Sequence, residues 1–343
     1  MTIKITAIAT SHRKKLVHMN KKNLKTTVLD WSTVSNNDIS PKEIISLGEI
    51  KFYDLTRNDV ETVERIKDSD IVLCNKVHIT GEIMHKCPKL KYIGLFATGY
   101  NNIDIDAADK YGITVCNAGS YSTNAVAQHV FAFILEHYSK ISAYNTDVCD
   151  GKWITSPTFS MFPYPTYELA GKTIAIVGFG SIGKAVAKIA DAFNMHVIIS
   201  TRTKPENCQY ELVSVDDAFR KADILTFHCP LNDKTKGIIN KERLSLMKQN
   251  AFLINTSRGP VADESALAET LNSHRIAGAG LDVLVNEPMD ADSPLLNADN
   301  CIITPHIAWA PLETRKRLIG IVNNNIRSYL DGLPQNIVNS PKK

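Results

Sequence analysis

The sequence predicts an α/β protein with two doubly wound domains, each built on a parallel β-sheet. Three observations lead to this expectation. The chain has 343 residues, a length that accommodates about two domains. Short apolar runs of strand length alternate with segments of helical length over most of the chain, as in βαβ units. An irregular stretch at 145–170, rich in proline and aromatic residues, separates two such series.

The first series contains five expected strands and the helices between them. The strands are predicted at 26–31, 50–53, 71–74, 92–96 and 114–117. Helices are predicted at 59–67 and 80–84, and a long helix at 123–144 carries an apolar face. Residues 1–22 precede the first strand, and we interpret them as an extension of unknown role.

The second series begins after the irregular stretch, which we interpret as a connecting loop without helix or strand. Its strands are predicted at 173–177, 197–200, 224–227, 252–255, 279–283 and 302–303. A helix is expected at 184–193, and a last amphipathic helix at 312–330 ends before an Asp-Gly pair. The expected organisation is a discontinuous domain formed by residues 1–120 and 309–343, with a second domain at 121–308.

Composition and charge exclude several classes of protein. Apolar residues make up 44% and charged residues 22%, as in a folded globular protein. The net charge of +3 disfavours a nucleic-acid partner, and no apolar run is long enough to span a membrane. Seven cysteines without a CxxC pair predict free, mostly buried thiols in a reducing, cytoplasmic compartment. The ten histidines have no metal-ligand spacing, and so no metal is expected.

A glycine-rich motif, Gly-Phe-Gly-Ser-Ile-Gly at 178–183, directly follows a predicted strand and opens a predicted helix. This context is the one in which GxGxxG binds a dinucleotide. Gly178 permits the tight turn, Gly180 lets the backbone approach a pyrophosphate, and Gly183 allows close packing of helix on strand. The amides at the helix N-terminus then face the anion. The motif therefore predicts a nicotinamide-dinucleotide site.

The next predicted strand ends at Ser200-Thr201-Arg202-Thr203, without the usual acidic residue. A carboxylate at this position binds the adenosine ribose and repels a 2′-phosphate. Its absence, together with the guanidinium of Arg202, favours NADP(H). The alternative is a solvated basic turn in an enzyme that uses NAD(H) or accepts both cofactors.

Three later segments, 254–260, 280–288 and 304–309, carry chemically capable residues at predicted strand ends. Together with the glycine motif, their order and spacing resemble the D-isomer-specific 2-hydroxyacid dehydrogenases from about residue 25 onward. Further stretches resemble the glycerate dehydrogenase (hydroxypyruvate reductase) branch, and these are 75–76, 96–104, 121–128 and 306–310. The chain departs from that branch at Phe162, where another aromatic residue such as Trp is expected, and at Thr201, which replaces the acid.

The resemblance implies a Rossmann-type cofactor domain and a flavodoxin-like substrate domain with a cleft between them. It also implies hydride transfer between NAD(P)H and a small 2-oxo acid, most similar to hydroxypyruvate or glyoxylate reduction. The implied catalytic residues are Arg258, which binds the carboxylate, His306, which exchanges the proton, and Glu287, which pairs with His306. Histidine suits the proton role because it titrates near neutrality. Asp282 is expected near the nicotinamide carboxamide.

Further site residues follow from the motif and the resemblance. The expected cofactor-binding residues are Gly178, Gly180, Ser181, Ile182, Gly183, Thr201, Arg202, Thr203, Cys229, Pro230, Thr256, Asp282 and Thr123. The expected substrate-binding residues are Lys76, Thr98, Gly99, Arg258 and His306. The aromatic 145–170 stretch predicts a homodimer contact. Two alternatives remain open: a dinucleotide-sensing, corepressor-like binding protein on the same scaffold, and another 2-hydroxyacid specificity.

Overall fold

The computed structural model describes residues 24–341 except 42–43, 45–48 and 207. The extension predicted at 1–22 lies outside the described residues. The chain divides into two compact units. The first unit consists of the described residues up to Tyr121 together with those from Leu312 onward, and the second is Ser122–Pro311.

The strands and helices alternate along most of the described chain. The strands are β1 (Lys25–Val28), β2 (Glu49–Phe52), β3 (Ile71–Cys74), β4 (Tyr92–Leu95), β5 (Thr114–Cys116), β6 (Thr173–Val177), β7 (His196–Ser200), β8 (Glu211–Leu212), β9 (Ile224–Phe227), β10 (Phe252–Asn255), β11 (Gly278–Leu281) and β12 (Cys301–Ile303). The helices are α1 (Asp59–Ile66), α2 (Gly81–Lys86), α3 (Ile105–Tyr111), α4 (Thr123–Ser139), α5 (Ile141–Cys149), α6 (Ser181–Ala192), α7 (Val215–Lys221), α8 (Lys241–Leu244), α9 (Glu264–Asn272) and α10 (Leu312–Leu330).

The first unit is a five-stranded sheet in the order β2-β1-β3-β4-β5, and every pair is parallel. This is the flavodoxin-like order, in which the direction of winding reverses between the first and third strands. The central strands β3 and β4 are buried along their whole length, as parallel strands covered on both faces must be. Their side chains form a core with residues of the flanking helices, such as Ile66 and Ile83.

The second unit is a seven-stranded sheet in the order β12-β11-β10-β9-β6-β7-β8, again with every pair parallel. Counted within the unit, this is the Rossmann order with one extra strand, and the winding reverses between β6 and β9. Alternate residues of β6 face opposite sides: Ala175 and Val177 belong to one apolar core, and Ile174 and Ile176 to the other. The predicted fold class, two parallel-sheet α/β domains, is confirmed.

The helix predicted at 123–144 is wrong as a single element, because the chain forms α4 and α5 with a break at Lys140. Lys140 has a φ of 54°, in the left-handed region, and its amide closes α4 on the carbonyl of Glu136. A lysine seldom signals such a break, since glycine or asparagine is usual at this position. Helix α5 runs to Cys149, so the expected loop without helix begins only after that residue.

Other boundaries also differ from the prediction. Strand β1 ends at Val28, and Trp31 begins a 3₁₀ turn, so the expected strand at 26–31 is too long. Strand β11 ends at Leu281, before the predicted limit of 283. No bounds were predicted for α3, α7, α8, α9 or β8. Each of these four helices begins after a residue whose side chain accepts a hydrogen bond from an amide of the first helical turn. Residues of these types at this position indicate a helix start in a sequence. The four are Asp104, Ser214, Asn240 and Asp263.

All seven cysteines have free thiols, as expected. Four of them are buried, but Cys149 is exposed at the end of α5. In the part of the chain that the structure describes, no helix is both long and apolar enough to cross a membrane.

Candidate active site

The glycine motif forms the turn between β6 and α6, and its three glycines meet different constraints. Gly178 has a φ of 97°, and a Cβ there would lie 2.6 Å from the amide nitrogen of Cys229. A Cβ on Gly183 would lie 2.3 Å from the carbonyl oxygen of Gly178. In contrast, a Cβ on Gly180 would have no neighbour within 4 Å. Packing therefore requires Gly178 and Gly183, whereas Gly180 keeps space open in front of the α6 N-terminus.

A cavity of about 710 Å³ lies beside this turn, at the point where the strand order reverses. Open α/β sheets bind ligands at this position. The lining residues that were predicted to bind cofactor are Gly178, Gly180, Thr201, Arg202, Thr203, Cys229 and Pro230. Arg202 is exposed in the turn that follows β7, on the rim of the cavity. No residue from Ser200 to Thr203 carries a carboxylate.

His228 also lines this cavity, at the end of β9. Its Nε2 lies 3.0 Å from the hydroxyl of Thr226, and burial lowers its pKa to about 3. The ring is therefore neutral at physiological pH. The sequence identified His228-Cys229-Pro230 as a possible neighbour of the cofactor without assigning a role to the histidine.

A second group of residues lies at the carboxyl ends of β10, β11 and β12. His306 has a φ of 54°, and its Nδ1 lies 2.6 Å from Oε2 of Glu287. The other oxygen of Glu287 accepts the amide of Leu284 at 3.1 Å. This pairing fixes the ring and leaves Nε2 as the nitrogen that can exchange a proton with a substrate.

Asp282, just after β11, holds the turn that carries His306. The carboxylate is 2% exposed. Its Oδ1 accepts the hydroxyl of Thr304 at 2.6 Å and the amide of Ile307 at 2.8 Å, and its Oδ2 accepts the amide of Ala308 at 2.9 Å. Both oxygens therefore bind the protein's own turn. The expected position of Asp282 near the nicotinamide carboxamide stays a prediction.

His129 on α4 extends this chain of hydrogen bonds, and sequence reasoning missed it. Its Nε2 lies 2.9 Å from the Thr304 hydroxyl oxygen. A carboxylate only accepts, so the Thr304 hydroxyl must donate to Asp282 and accept from the Nε2–H of His129. Burial lowers the pKa of His129, while Asp282 opposes this shift. No spacing in the sequence links residue 129 to residue 304, which explains why the contact was not predicted.

Arg258 follows β10 and is half-buried. One of its guanidinium nitrogens donates to the carbonyl of Ser257 at 2.6 Å, and its own carbonyl accepts the amide of Asn255 at 2.9 Å. A Cβ on the next residue, Gly259, would lie 1.9 Å from the backbone of Leu284. This close approach brings the loop after β10 against the loop that leads to Glu287.

The second unit contains polar groups that suit a bound dinucleotide. The buried hydroxyl of Thr256, a predicted cofactor-binding residue, has no hydrogen-bond partner among the described residues. Together with the open space at Gly180 and the positive end of α6, it provides groups that a nicotinamide dinucleotide can satisfy. Ser181, Ile182 and Thr123 lie in the first turns of α6 and α4. These residues therefore fit the predicted cofactor.

The remaining predicted substrate residues belong to the first unit. Lys76 follows β3, and Thr98 and Gly99 follow β4. The Thr98 hydroxyl donates to the carbonyl of Gly119, and the Thr98 carbonyl accepts the Asn117 amide at 2.7 Å. These residues lie at the carboxyl ends of two neighbouring strands.

The aromatic stretch leaves large side chains exposed within the single chain. Phe159 is 92% exposed and Phe162 is 86% exposed. Trp153 is also exposed, and its indole nitrogen donates to the carbonyl of Phe159 at 2.9 Å. Isolated apolar side chains are common on surfaces, but a cluster of this kind usually marks an interface.

The fold and the site define a nicotinamide-dependent dehydrogenase: a glycine turn lies at the reversal of a Rossmann sheet, and an Arg, Glu and His follow its last strands. The chain belongs to the D-isomer specific 2-hydroxyacid dehydrogenases, whose NAD-binding domain matches residues 131–308. The expected family, enzyme class and fold class are thereby confirmed.

Two relatives cover nearly the whole chain. The hydroxypyruvate reductase of Blautia hydrogenotrophica is 43% identical over 92% of this chain and 100% of its own length. The glycerate dehydrogenase of Methylorubrum extorquens is 36% identical over 95% of this chain and 99% of its own.

Solved structures show the same architecture. An NADPH-dependent glyoxylate/hydroxypyruvate reductase from Sinorhizobium meliloti, in complex with NADP and malonate, has a TM-score of 0.80 at 26% identity and covers 92% of this chain and 96% of its own. An acyclic imino acid reductase in complex with NADPH and D-Arg has a TM-score of 0.82 at 33% identity, over 92% and 100% of the two chains.

Proposed function

We propose that this protein reduces hydroxypyruvate or glyoxylate, giving D-glycerate or glycolate. The observation that carries the proposal is the pair formed by His306 and Glu287, 2.6 Å apart, at the strand ends that also carry Arg258. The similarity to a hydroxypyruvate reductase and a glycerate dehydrogenase over nearly the full chain supports this choice of substrates.

The chemistry requires a group for the carboxylate, a proton for the carbonyl oxygen and a hydride for C2. NAD(P)H, when bound, supplies the hydride. Arg258 is permanently charged, so it can bind the substrate carboxylate through two nitrogens and polarise the carbonyl. Glu287 holds Nδ1 of His306 at 2.6 Å, so that Nε2 of the ring faces the substrate and gives its proton to the oxygen as the C–O double bond is reduced. In the oxidative direction, the neutral ring takes the proton back.

NADP(H) is the proposed cofactor in preference to NAD(H). Arg202 lies exposed on the rim of the cavity beside the glycine turn, between Thr201 and Thr203. A guanidinium with two flanking hydroxyls can bind a 2′-phosphate, and residues 200–203 at the end of β7 include no carboxylate that would repel this group.

We also propose a homodimer and a cytoplasmic location. The exposed Phe159 and Phe162 supply an apolar surface suited to a symmetric contact. Seven free thiols fit a reducing compartment.

The test assays a panel of 2-oxo acids with the purified protein, with NADPH and with NADH in parallel. The absorbance at 340 nm measures the oxidation of either cofactor. The proposal expects hydroxypyruvate and glyoxylate to give the highest kcat/KM, with a lower KM for NADPH than for NADH. Turnover restricted to other 2-oxo acids would contradict the substrate assignment. Tight NADPH binding without turnover of any acid would favour the dinucleotide-sensing alternative.

A further inference from the structure

A chain of hydrogen bonds leads from helix α4 to the turn that carries His306. It begins at His129 on α4, passes through the hydroxyl of Thr304 and ends on the carboxylate of Asp282. All of these residues belong to the second unit. The proposed proton transfer uses neither His129 nor Thr304 directly, so this chain needs a separate explanation.

The turn must be held in place because His306 has an unfavourable backbone conformation. Its φ of 54° lies in the left-handed region, which residues other than glycine adopt at a cost. The amide of His306 donates to the carbonyl of Asp282 at 2.9 Å. The next two amides, those of Ile307 and Ala308, donate to the carboxylate of the same residue. The orientation of the proposed proton donor therefore depends on the position of Asp282.

The position of the Asp282 carboxylate depends in turn on the hydroxyl of Thr304, which donates to Oδ1 at 2.6 Å. A hydroxyl rotates about its C–O bond, so its single hydrogen has a fixed direction only where another group sets it. His129 sets this direction, because its Nε2 donates to the hydroxyl oxygen at 2.9 Å. Nε2 lies 3.6 Å from Oδ1 of Asp282, which is too far for a direct hydrogen bond. Thr304 is therefore the bridge between the two.

The protonation state of His129 agrees with this direction. Burial lowers the pKa of His129, although Asp282 opposes the shift, so the ring is neutral at physiological pH and carries one hydrogen. Thr304 gives its own hydrogen to Asp282, and the hydrogen of the ring must then be on Nε2. The contribution of His129 is thus a single N–H donor.

Packing alone does not require a histidine at this position. The neighbouring residues Val130 and Phe133 of α4 are buried and apolar, and the Phe133 ring meets the His129 ring edge-on with the centroids 4.7 Å apart. Burying a polar ring beside such groups is unfavourable unless its N–H is bonded. A leucine would fill a similar space, and what it would lack is the hydrogen bond to Thr304.

We propose that His129 is a positioning residue for proton transfer: acting through Thr304 and Asp282, its Nε2–H fixes the turn that presents His306. The inference rests on the proposed function, since it concerns the proton donor of the same reaction.

The experiment compares two matched pairs of variants in the full chain. His129→Leu removes the donor, whereas His129→Gln keeps an amide N–H near the position of Nε2. Thr304→Val removes the hydroxyl, whereas Thr304→Ser keeps it. For each variant, kcat and KM are measured at saturating NADPH with hydroxypyruvate or, if it is the better substrate, glyoxylate. The thermal midpoint checks that each variant is folded.

We expect kcat to fall roughly 10-fold in His129→Leu and in Thr304→Val, because the proton donor is no longer held in one orientation. His129→Gln and Thr304→Ser should stay within about 3-fold of the wild type, since both keep the hydrogen bond. KM should change less than about 2-fold in all four variants, because the lost interaction acts on proton transfer and not on substrate binding.

His137→Leu is the matched control on the same helix. The ring of His137 is half-buried and stacks on Phe252, with the centroids 4.1 Å apart. A Cβ on Gly278 would lie 3.4 Å from this ring, which places His137 at the start of β11, at the opposite end of that strand from Asp282. This variant removes a histidine from α4 without touching the turn, so kcat should change less than about 2-fold.

A double variant separates positioning of His306 from a general structural effect. If His129 acts through His306, adding His129→Leu to His306→Gln should cause no further loss of kcat. A general effect on the fold would lower kcat by the same factor in both backgrounds.

The outcomes distinguish this inference from the proposed function. If the wild type reduces neither acid, the proposed function fails, and the inference fails with it. If the wild type is active, any of three results overturns the inference alone: His129→Gln loses as much activity as His129→Leu, His137→Leu loses as much, or the losses in the double variant multiply. If His129→Leu does not fold, the second pair decides, and equal kcat values in Thr304→Val and Thr304→Ser overturn the inference.

Discussion

The two sheets each reverse their strand order once, and the two reversal points are built in opposite ways. In the second unit, the turn after β6 leaves a cavity of about 710 Å³, and nothing lies within 4 Å of a Cβ on Gly180. In the first unit, the carboxylate of Asp30 occupies the equivalent position and accepts three amides of the 75–77 loop.

The comparison shows how one topological feature can serve two purposes. An open reversal point in front of a helix N-terminus suits a phosphate-bearing cofactor. A reversal point filled by an internal carboxylate cannot bind an anion with those amides, because Asp30 already accepts them. This difference supports the proposal that the cofactor binds to the second unit.

The largest expected effect is that of Gly178→Ala, which adds a methyl group to the turn at the open reversal point. The new methyl would lie 2.6 Å from the Cys229 amide nitrogen, at a φ of 97° that alanine rarely adopts. Overpacking and backbone strain together should lower the free energy of unfolding by about 2–5 kcal/mol. Chemical denaturation measures this change.

Gly180→Ala is the matched control for that variant, because its methyl enters open space. It should leave the free energy of unfolding nearly unchanged and weaken NADPH binding, which fluorescence titration measures. If Gly180→Ala and the wild type bind NADPH with the same affinity, the role of the open reversal point in cofactor binding is contradicted.

Arg202→Ala removes the proposed 2′-phosphate contact at the rim of the open reversal point. Since Arg202 is exposed, we expect the low end of a charge-assisted hydrogen bond, about 1.5 kcal/mol, which is roughly a 10-fold rise in the KM for NADPH. The KM for NADH should stay the same. Equal changes for both cofactors in steady-state assays would refute the phosphate contact.

The smallest effect concerns His228, which lines the cavity at the open reversal point. Burial disfavours the charged form of this histidine. His228 has a pKa of about 3, and histidine in an unfolded chain titrates near 6.5. The unfolded state therefore binds more protons below pH 6.5, and stability falls as the pH is lowered. Between pH 7 and 5.5, this loss should be about 1 kcal/mol larger in the wild type than in His228→Gln. Identical pH dependence in the two denaturation series would show that folding does not lower the pKa of His228.

The sequence predicted the second unit's site better than the first unit's. The glycine motif and the segments around Arg258, Glu287 and His306 are contiguous runs, and each follows a strand that apolar residues mark clearly. Because parallel strands end at one edge of a sheet, the positions of these residues could be inferred without knowing any contact.

The interactions that the sequence did not predict join residues far apart in the chain. Asp30 and the 75–77 loop are 45 or more positions apart, and His129 and Thr304 are 175 apart. Asp30 follows a strand as an ordinary polar residue, and only strand pairing brings it to the loop after β3. The break at Lys140 was missed for a local reason, since no glycine or asparagine marks it.

The most direct test of the account is the reduction of hydroxypyruvate by NADPH in His306→Gln, measured at saturating concentrations with the NADPH affinity determined separately. Without the proton donor, hydride transfer to C2 would leave an alkoxide, so kcat should fall roughly 10²- to 10⁴-fold while the Kd for NADPH changes little. A kcat near the wild-type value would contradict the assignment of His306 as the proton donor.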